Sequence, residues 1–292
     1  MGTWQSLKDV PPLDRSGEAA QRLARASGLT PDHARIQKLY LPLYSWLRPK
    51  ITTHPLVVGL NAPQGAGKTT LTGVLRRVFG EEGIETAVVS IDAFYLKREE
   101  QVALARANAD NPLLQARGYP GTHDIALGTE TLRRLKSLRA GEEMALPAYD
   151  KAAHAGRGDR APHSSWPVVQ GPLRLIILEG WMLGFEPCAG LTDPALAVPN
   201  SRLEPYSAWT NELDAFIFLE PENAEFVLSW RVEAERKMRE ARGAGMTDEE
   251  VAAYIATFLP AYRAWLPALS RSPLAVEHAL RATIRADRLP AE

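Results

Sequence analysis

The sequence predicts an α/β fold: a mainly parallel sheet flanked by helices, preceded by an N-terminal helical extension. Short apolar runs at residues 56–60, 86–91, 173–178 and 215–219 each have the length of a buried strand. Helical patterns separate them, as the crossovers between parallel strands require. A glycine-rich turn joins the first run to a helical stretch at 71–79.

Taken in order, residues 16–49 read as two helices. Thr30 is a good N-cap with Pro31 in the first helical position. Ile36, Leu39, Tyr40, Leu43, Tyr44 and Leu47 then recur at helical spacing, a stripe suited to packing on the main domain or to a partner surface. Pro49 suggests a hinge, which divides the chain into an extension over 1–50 and a larger domain over 51–292. Residues 148–172, rich in Gly, Pro, Ser, His and charge, predict a long loop, and loops of that length in compact domains are commonly functional. A densely charged helix is expected over 222–242, stopping at Gly243 and Gly245. Thr247 and Glu250 form a capping box for the next helix. Periodicity does not decide between strand and helix for residues 274–288.

Composition narrows the function. The 292 residues include 34 basic and 35 acidic side chains, a formal net charge of −1, which disfavours a general nucleic-acid binder. The single cysteine, Cys188, leaves no internal disulfide or multi-cysteine zinc site and fits the cytoplasm. The apolar stretch at 173–185 contains Arg174 and Glu179 and is too short to span a bilayer. Gly2 and Ser6 match a short myristoylation pattern, set aside because it matches easily by chance and a bulky Trp4 follows.

The segment Ala62-Pro63-Gln64-Gly65-Ala66-Gly67-Lys68-Thr69, continued by Thr70, carries the chemistry. It follows an apolar strand and opens a helix, the context a Walker A loop needs. Gly65 and Gly67 let backbone N–H groups turn toward phosphate oxygens, and the helix N-terminus adds partial positive charge. Lys68 suits the β- and γ-phosphates of ATP, and the Thr69 hydroxyl suits Mg²⁺. Ala62 stands where the pattern has its first glycine, the smallest available substitution.

Two acids follow strands: Asp92 in "SIDAFY" and Glu179 in "IILEGW". In an open α/β sheet ligands lie beyond the carboxyl ends of the strands, so both acids face the phosphates. Asp92, beside the aromatic pair Phe94 and Tyr95, is the candidate base; Glu179, followed by Gly180, is the candidate for Mg²⁺. Alone, either would more often cap a turn; next to a phosphate loop the functional reading prevails.

With "APQGAGKTT", "SIDAFYL", "RGYPGTHD", "PAYDKAAHAGRGDR", "LEGWMLGF" and "WRVEAERKM", the chain from about residue 55 to 262 resembles the D-glycerate 3-kinases of plants and fungi. These lie in the phosphoribulokinase/uridine kinase branch of the P-loop kinases. The resemblance implies the P-loop NTPase fold, ATP with Mg²⁺ as donor, glycerate as acceptor and 3-phosphoglycerate as product. It also implies phosphate and metal binding by Lys68 and Thr69, Asp92 as base and Glu179 at the Walker B position.

Residue chemistry points the same way for the acceptor. A hydroxy acid needs cations and hydrogen-bonding groups, and Arg117, His123 and Asp124 flank a Pro120-Gly121 turn, with Lys151, Arg157 and Arg160 in the long loop. On the charged helix, Arg231 and Arg236 suit a lid bringing a cation to the transferring phosphoryl. They equally suit exposed i,i+4 pairing, as in Arg231–Glu235–Arg239 and Glu233–Lys237. Uridine, pantothenate and sugar phosphates stay open as acceptors. A guanine-reading N-K-x-D is absent, which counts against a nucleotide switch, and "LEG" in place of a D-E pair counts against a nucleic-acid motor.

Overall fold

The computed structural model describes residues 3–13, 17–243 and 245–291, so Gly2 lies outside it. Six strands form one wholly parallel sheet: β1 (Gln5–Ser6), β2 (Leu56–Asn61), β3 (Thr86–Ser90), β4 (Leu175–Gly180), β5 (Ala215–Pro221) and β6 (His278–Ile284). Their order is β1-β6-β5-β2-β4-β3. The longer helices are α1 (Glu18–Ser27), α2 (Leu41–Leu47), α3 (Lys68–Glu81), α4 (Arg98–Ala107), α5 (Ile125–Ser137), α6 (Phe226–Arg242), α7 (Asp248–Ala256) and α8 (Leu259–Arg271).

β2 and β4 are buried at every position, which is why they read as unbroken apolar runs. Successive side chains of a strand point to opposite faces, and each face has its own core. Val57, Ile176, Phe216 and Phe218 enter one cluster with Trp209, Tyr262 and Trp265. Val58, Ile177 and Ile217 enter the other with Leu71, Val74 and Val78 of α3.

The N-terminal segment closes the second face. Ala19, Leu23, Leu43 and Leu47 share that cluster, and β1 adds an edge strand beside β6. The whole stripe from Ile36 to Leu47 is buried within this chain. Polar ties fix it: the Tyr44 hydroxyl and Arg48 Nε each lie 2.6 Å from the Glu82 carboxylate. Thr30 and Pro31 sit in a turn before the helical stretch, which begins at residue 34. His33 serves there as the cap, its Nδ1 accepting the Arg35 N–H at 3.1 Å.

The segment over 148–172 is more ordered than its composition predicts. Tyr149–Asp150 pairs antiparallel with Asp159–Arg160, and Val168–Gln170 with Glu143–Ala145. Strands of two or three residues leave no periodic trace. The predicted capping box of α7 is present: Thr247 Oγ1 accepts the Glu250 N–H, and the Glu250 carboxylate accepts the Thr247 N–H. Among the described residues no helix is long and apolar enough to cross a membrane.

Candidate active site

Because all six strands run the same way, their carboxyl ends share one edge of the sheet. β2 ends there and turns into residues 62–67; Gly65 and Gly67 take positive φ of 75° and 95°, and α3 starts at Lys68. The cradle has outside supports. The Gln64 N–H donates to the Tyr262 hydroxyl at 3.1 Å, and Arg288 Nε donates to the Gly65 carbonyl at 2.9 Å. Lys68 folds back, its Nζ donating to the carbonyls of Ala62 and Pro63 at 2.7 and 3.0 Å. Burial lowers its pKa against the opposing pull of Glu179 and Asp92, so lysine and acids face one another. Thr69 and Thr70 are exposed in the first turn of α3.

Glu179 sits inside β4 rather than after it, in register with Leu60 of β2 and Ser90 of β3. It is only 7% exposed, and burial raises its pKa more than Lys68 lowers it. Ser90 hydrogen-bonds to it, a contact the sequence reading missed although Ser90 stands two residues before Asp92.

Asp92 lies in the 3₁₀ turn Ile91–Phe94 at the end of β3. Lys151 Nζ is 2.6 Å from its carboxylate, and the Tyr95 phenol hydrogen-bonds to it. Burial pushes the Asp92 carboxyl up, but Lys151 and the weaker contributions of His123 and Tyr95 bring it below its ordinary value. It is an anion at neutral pH.

His123 is buried, stacked on the Tyr95 ring with centroids 4.5 Å apart. Its tautomer follows from hydrogen-bond accounting. The Tyr206 hydroxyl accepts the Gly121 N–H at 3.0 Å, so its own proton goes to His123 Nδ1 at 2.7 Å. Nε2 therefore carries the ring hydrogen, and it is a buried donor without a partner. Burial drives the His123 pKa down to about 4 although Asp92 pulls the other way, so the ring is neutral.

The remaining acceptor candidates mostly hold loops. Arg117 donates to the carbonyls of Gly156 and Arg157 at 2.9 and 2.5 Å and lies over the Tyr149 ring. Asp124 caps α5, its Oδ1 accepting the Leu127 N–H, and its other oxygen pairs with Arg160 at 3.0 Å. Arg157 is exposed, and what it gives the fold is its backbone carbonyl.

On α6 the two arginines part. Arg231 bonds to Glu235, which is only 1% exposed, so this is no surface pair. It lies 5.9 Å from the Tyr254 ring centroid and acts electrostatically on Lys68. Arg236 points to Asp248 at the start of α7, where Arg239 joins it in place of the expected pairing with Glu235. Tyr254, Tyr206 and Arg288 were not legible in the sequence; they reach the site from elements 80 or more residues away from the loops they touch. Lys68, Asp92, Glu179, Lys151, His123 and Arg231 are thus gathered at one sheet edge.

A loop built to hold phosphates serves switches and motors too; here an ionised carboxylate, Asp92, stands at the end of β3, two strands from the loop, with the Tyr95 ring beside it. The fold and the loop define the class of the P-loop kinases. The chain is 43% identical over 256 residues to the chloroplastic D-glycerate 3-kinase of Arabidopsis thaliana, covering 82% of this chain. The chain spans 56% of that plant protein's length. It is 32% identical to an uncharacterised kinase of Schizosaccharomyces pombe over 83% of this chain and 92% of the relative. The solved structure of D-glycerate 3-kinase from Cryptococcus neoformans superposes with a TM-score of 0.75 at 29% identity, covering 95% of this chain and 97% of that one. No protein-family model matches. By these likenesses the chain belongs to the family of P-loop kinases that includes the D-glycerate 3-kinases of plants and fungi.

Proposed function

We propose that the protein transfers the γ-phosphoryl group of ATP to D-glycerate, yielding 3-phosphoglycerate and ADP. The plant and fungal relatives that carry this activity in their names support it. The observation that carries it is the Lys151–Asp92 pair at the mouth of the phosphate cradle, which sets an ammonium beside an ionised base. A small acceptor with both a carboxylate and a hydroxyl answers both groups at once.

Asp92 accepts the proton of the attacking hydroxyl as its oxygen bonds to the γ-phosphorus; the bond from that phosphorus to the β,γ-bridging oxygen breaks and ADP leaves. Lys68 leaves the loop carbonyls for the β- and γ-phosphates, held in register by the N–H groups of residues 62–70. Arg231 meets charge developing on the transferring group, and Arg236 orders the α6–α7 corner as part of the lid. His123 donates from Nε2 to an acceptor oxygen. Arg117, Asp124, Arg157 and Arg160 shape the acceptor loop around Lys151.

The site fits Mg²⁺. The candidate ligands, the Thr69 hydroxyl and the Glu179 carboxylate, are hard oxygens, and magnesium takes one or two such ligands with nucleotide phosphates. When bound, the ion neutralises charge on the β- and γ-phosphates. The single, partly buried cysteine suits a cytoplasmic setting.

ADP release measured with D-glycerate, L-glycerate, uridine, pantothenate and ribulose 5-phosphate, each offered alone, tests the reading. D-glycerate should stimulate strongly and the others weakly. Stronger stimulation by another compound would replace the acceptor and leave the phosphoryl-transfer chemistry standing.

A further inference from the structure

Lys151 stands where an acceptor hydroxyl must go. Its ammonium lies 2.6 Å from Asp92 Oδ2, so this oxygen is engaged in a charge-assisted bond before any acceptor arrives. The backbone that carries it is fixed. Asp150 Oδ1 accepts the N–H groups of Ala152 and Ala153 at 2.9 and 3.3 Å, and Arg117 grips the carbonyls of Gly156 and Arg157 on the far side. The side chain, by contrast, is 59% exposed and turns on a flexible four-carbon stem. Lys151 can leave Asp92 by a change of rotamer, without loop movement.

We infer that Lys151 is a specificity-determining latch: it holds the catalytic base until the acceptor's own carboxylate draws the ammonium away. This rests on the acceptor being a hydroxy acid. Exchange of one carboxylate partner for another costs little, because a charge-assisted pair is broken and a like one made. A neutral polyol offers no such exchange and must break the pair uncompensated. Water cannot make it either, so with ATP bound and no acceptor the base stays occupied and hydrolysis is suppressed. Arg117 is engaged with backbone carbonyls and Arg160 with Asp124, which leaves Lys151 as the cation in direct contact with the base.

The test uses the full chain with Lys151→Gln and Lys151→Arg. The first arm is ATP hydrolysis with Mg²⁺ and no acceptor. Lys151→Gln should hydrolyse ATP about tenfold faster than the parent, and the rise should be smaller in Lys151→Arg, which keeps a cation. A rate for Lys151→Gln equal to or below the parent's overturns the latch. This arm needs no acceptor and stands even if D-glycerate proves not to be the substrate. The second arm compares KM for D-glycerate and for glycerol. Lys151→Gln should raise the first by about 10- to 100-fold and lower the second, because no pair is left for the polyol to break. Equal rises for both would make Lys151 a general structural support and sink the specificity role.

Discussion

Trp230 of α6 lies against Gly65 of the phosphate loop so closely that a Cβ on the glycine would sit 2.7 Å from the Trp230 carbonyl carbon and 2.8 Å from its Cβ. The neighbour is helix backbone, which cannot give way. Trp230 is itself 1% exposed and anchored, its indole N–H donating to the Ala286 carbonyl at 2.7 Å. The charged helix is thereby fastened at its base to the loop it serves, and Arg231, the next residue, is aimed by that contact.

Gly65→Ala should therefore cost more stability than Gly67→Ala. Both glycines have positive φ, a conformation that costs other residues about 1–2 kcal/mol. Only Gly65 adds a clash, since a Cβ on Gly67 meets nothing within 4 Å. Thermal melts of the two variants should show the lower midpoint for Gly65→Ala; equal midpoints would mean that α6 yields.

Lys68→Ala and Asp92→Asn should each lower kcat by about 10²–10⁴. They should differ in nucleotide binding, which titration with ADP would show: lost with Lys68→Ala, kept with Asp92→Asn. Normal turnover by Asp92→Asn would remove the base assignment.

The acid limb of kcat/KM should lie below the ordinary carboxylate range. Although burial pushes the Asp92 carboxyl up, Lys151 and the weaker contributors lower it on balance, so the base stays ionised to lower pH and activity falls only as pH drops through that depressed value. In Lys151→Gln the limb should move to higher pH. A limb that stays put would assign it to another group.

Stability should also fall with acid, through His123. Its native pKa is about 4 against an ordinary 6.5, because burial outweighs the pull of Asp92. Below pH 6.5 the unfolded chain takes up a proton that the native one refuses, so stability is full above pH 6.5 and declines toward pH 4, by about 2 kcal/mol at pH 5. The stability margin of the parent over His123→Gln in urea should shrink accordingly between pH 7.5 and pH 5. A constant margin would show that the ring is not held neutral.

Arg231→Ala should lower kcat by about 10²–10³, as expected for loss of a cation facing the transferring group. Arg236→Ala should change it by less than about tenfold, since its partner is the surface Asp248. A kinetic comparison showing equal losses would mean that both arginines act only by holding α6 to α7.

Much of this protein is local in origin. The strand–glycine loop–helix unit at residues 56–81 was legible because every part of it follows from neighbours in the chain: a doubly buried strand must be apolar, a phosphate cradle needs backbone without side chains, and the helix begins where the loop ends. Asp92 was legible for the same reason, and so was Glu179, with its strand end placed two residues early. The capping box at Thr247 was readable from four residues.

What only the tertiary structure decided involves residues far apart in the chain. Residues 278–284 became strand because β5 and β1 offered paired edges on either side, a choice no periodicity could express. Glu235, exposed in any isolated helix, was buried by packing and took Arg231 out of the surface class. Above all, the sequence supplied four cations around the acceptor loop with nothing to rank them. Folding tied Arg117 and Arg160 to structural partners, left Arg157 in solvent and put Lys151 on Asp92. Charge type is written in the sequence; which charge meets which is a matter of distance, and distance is set by the fold.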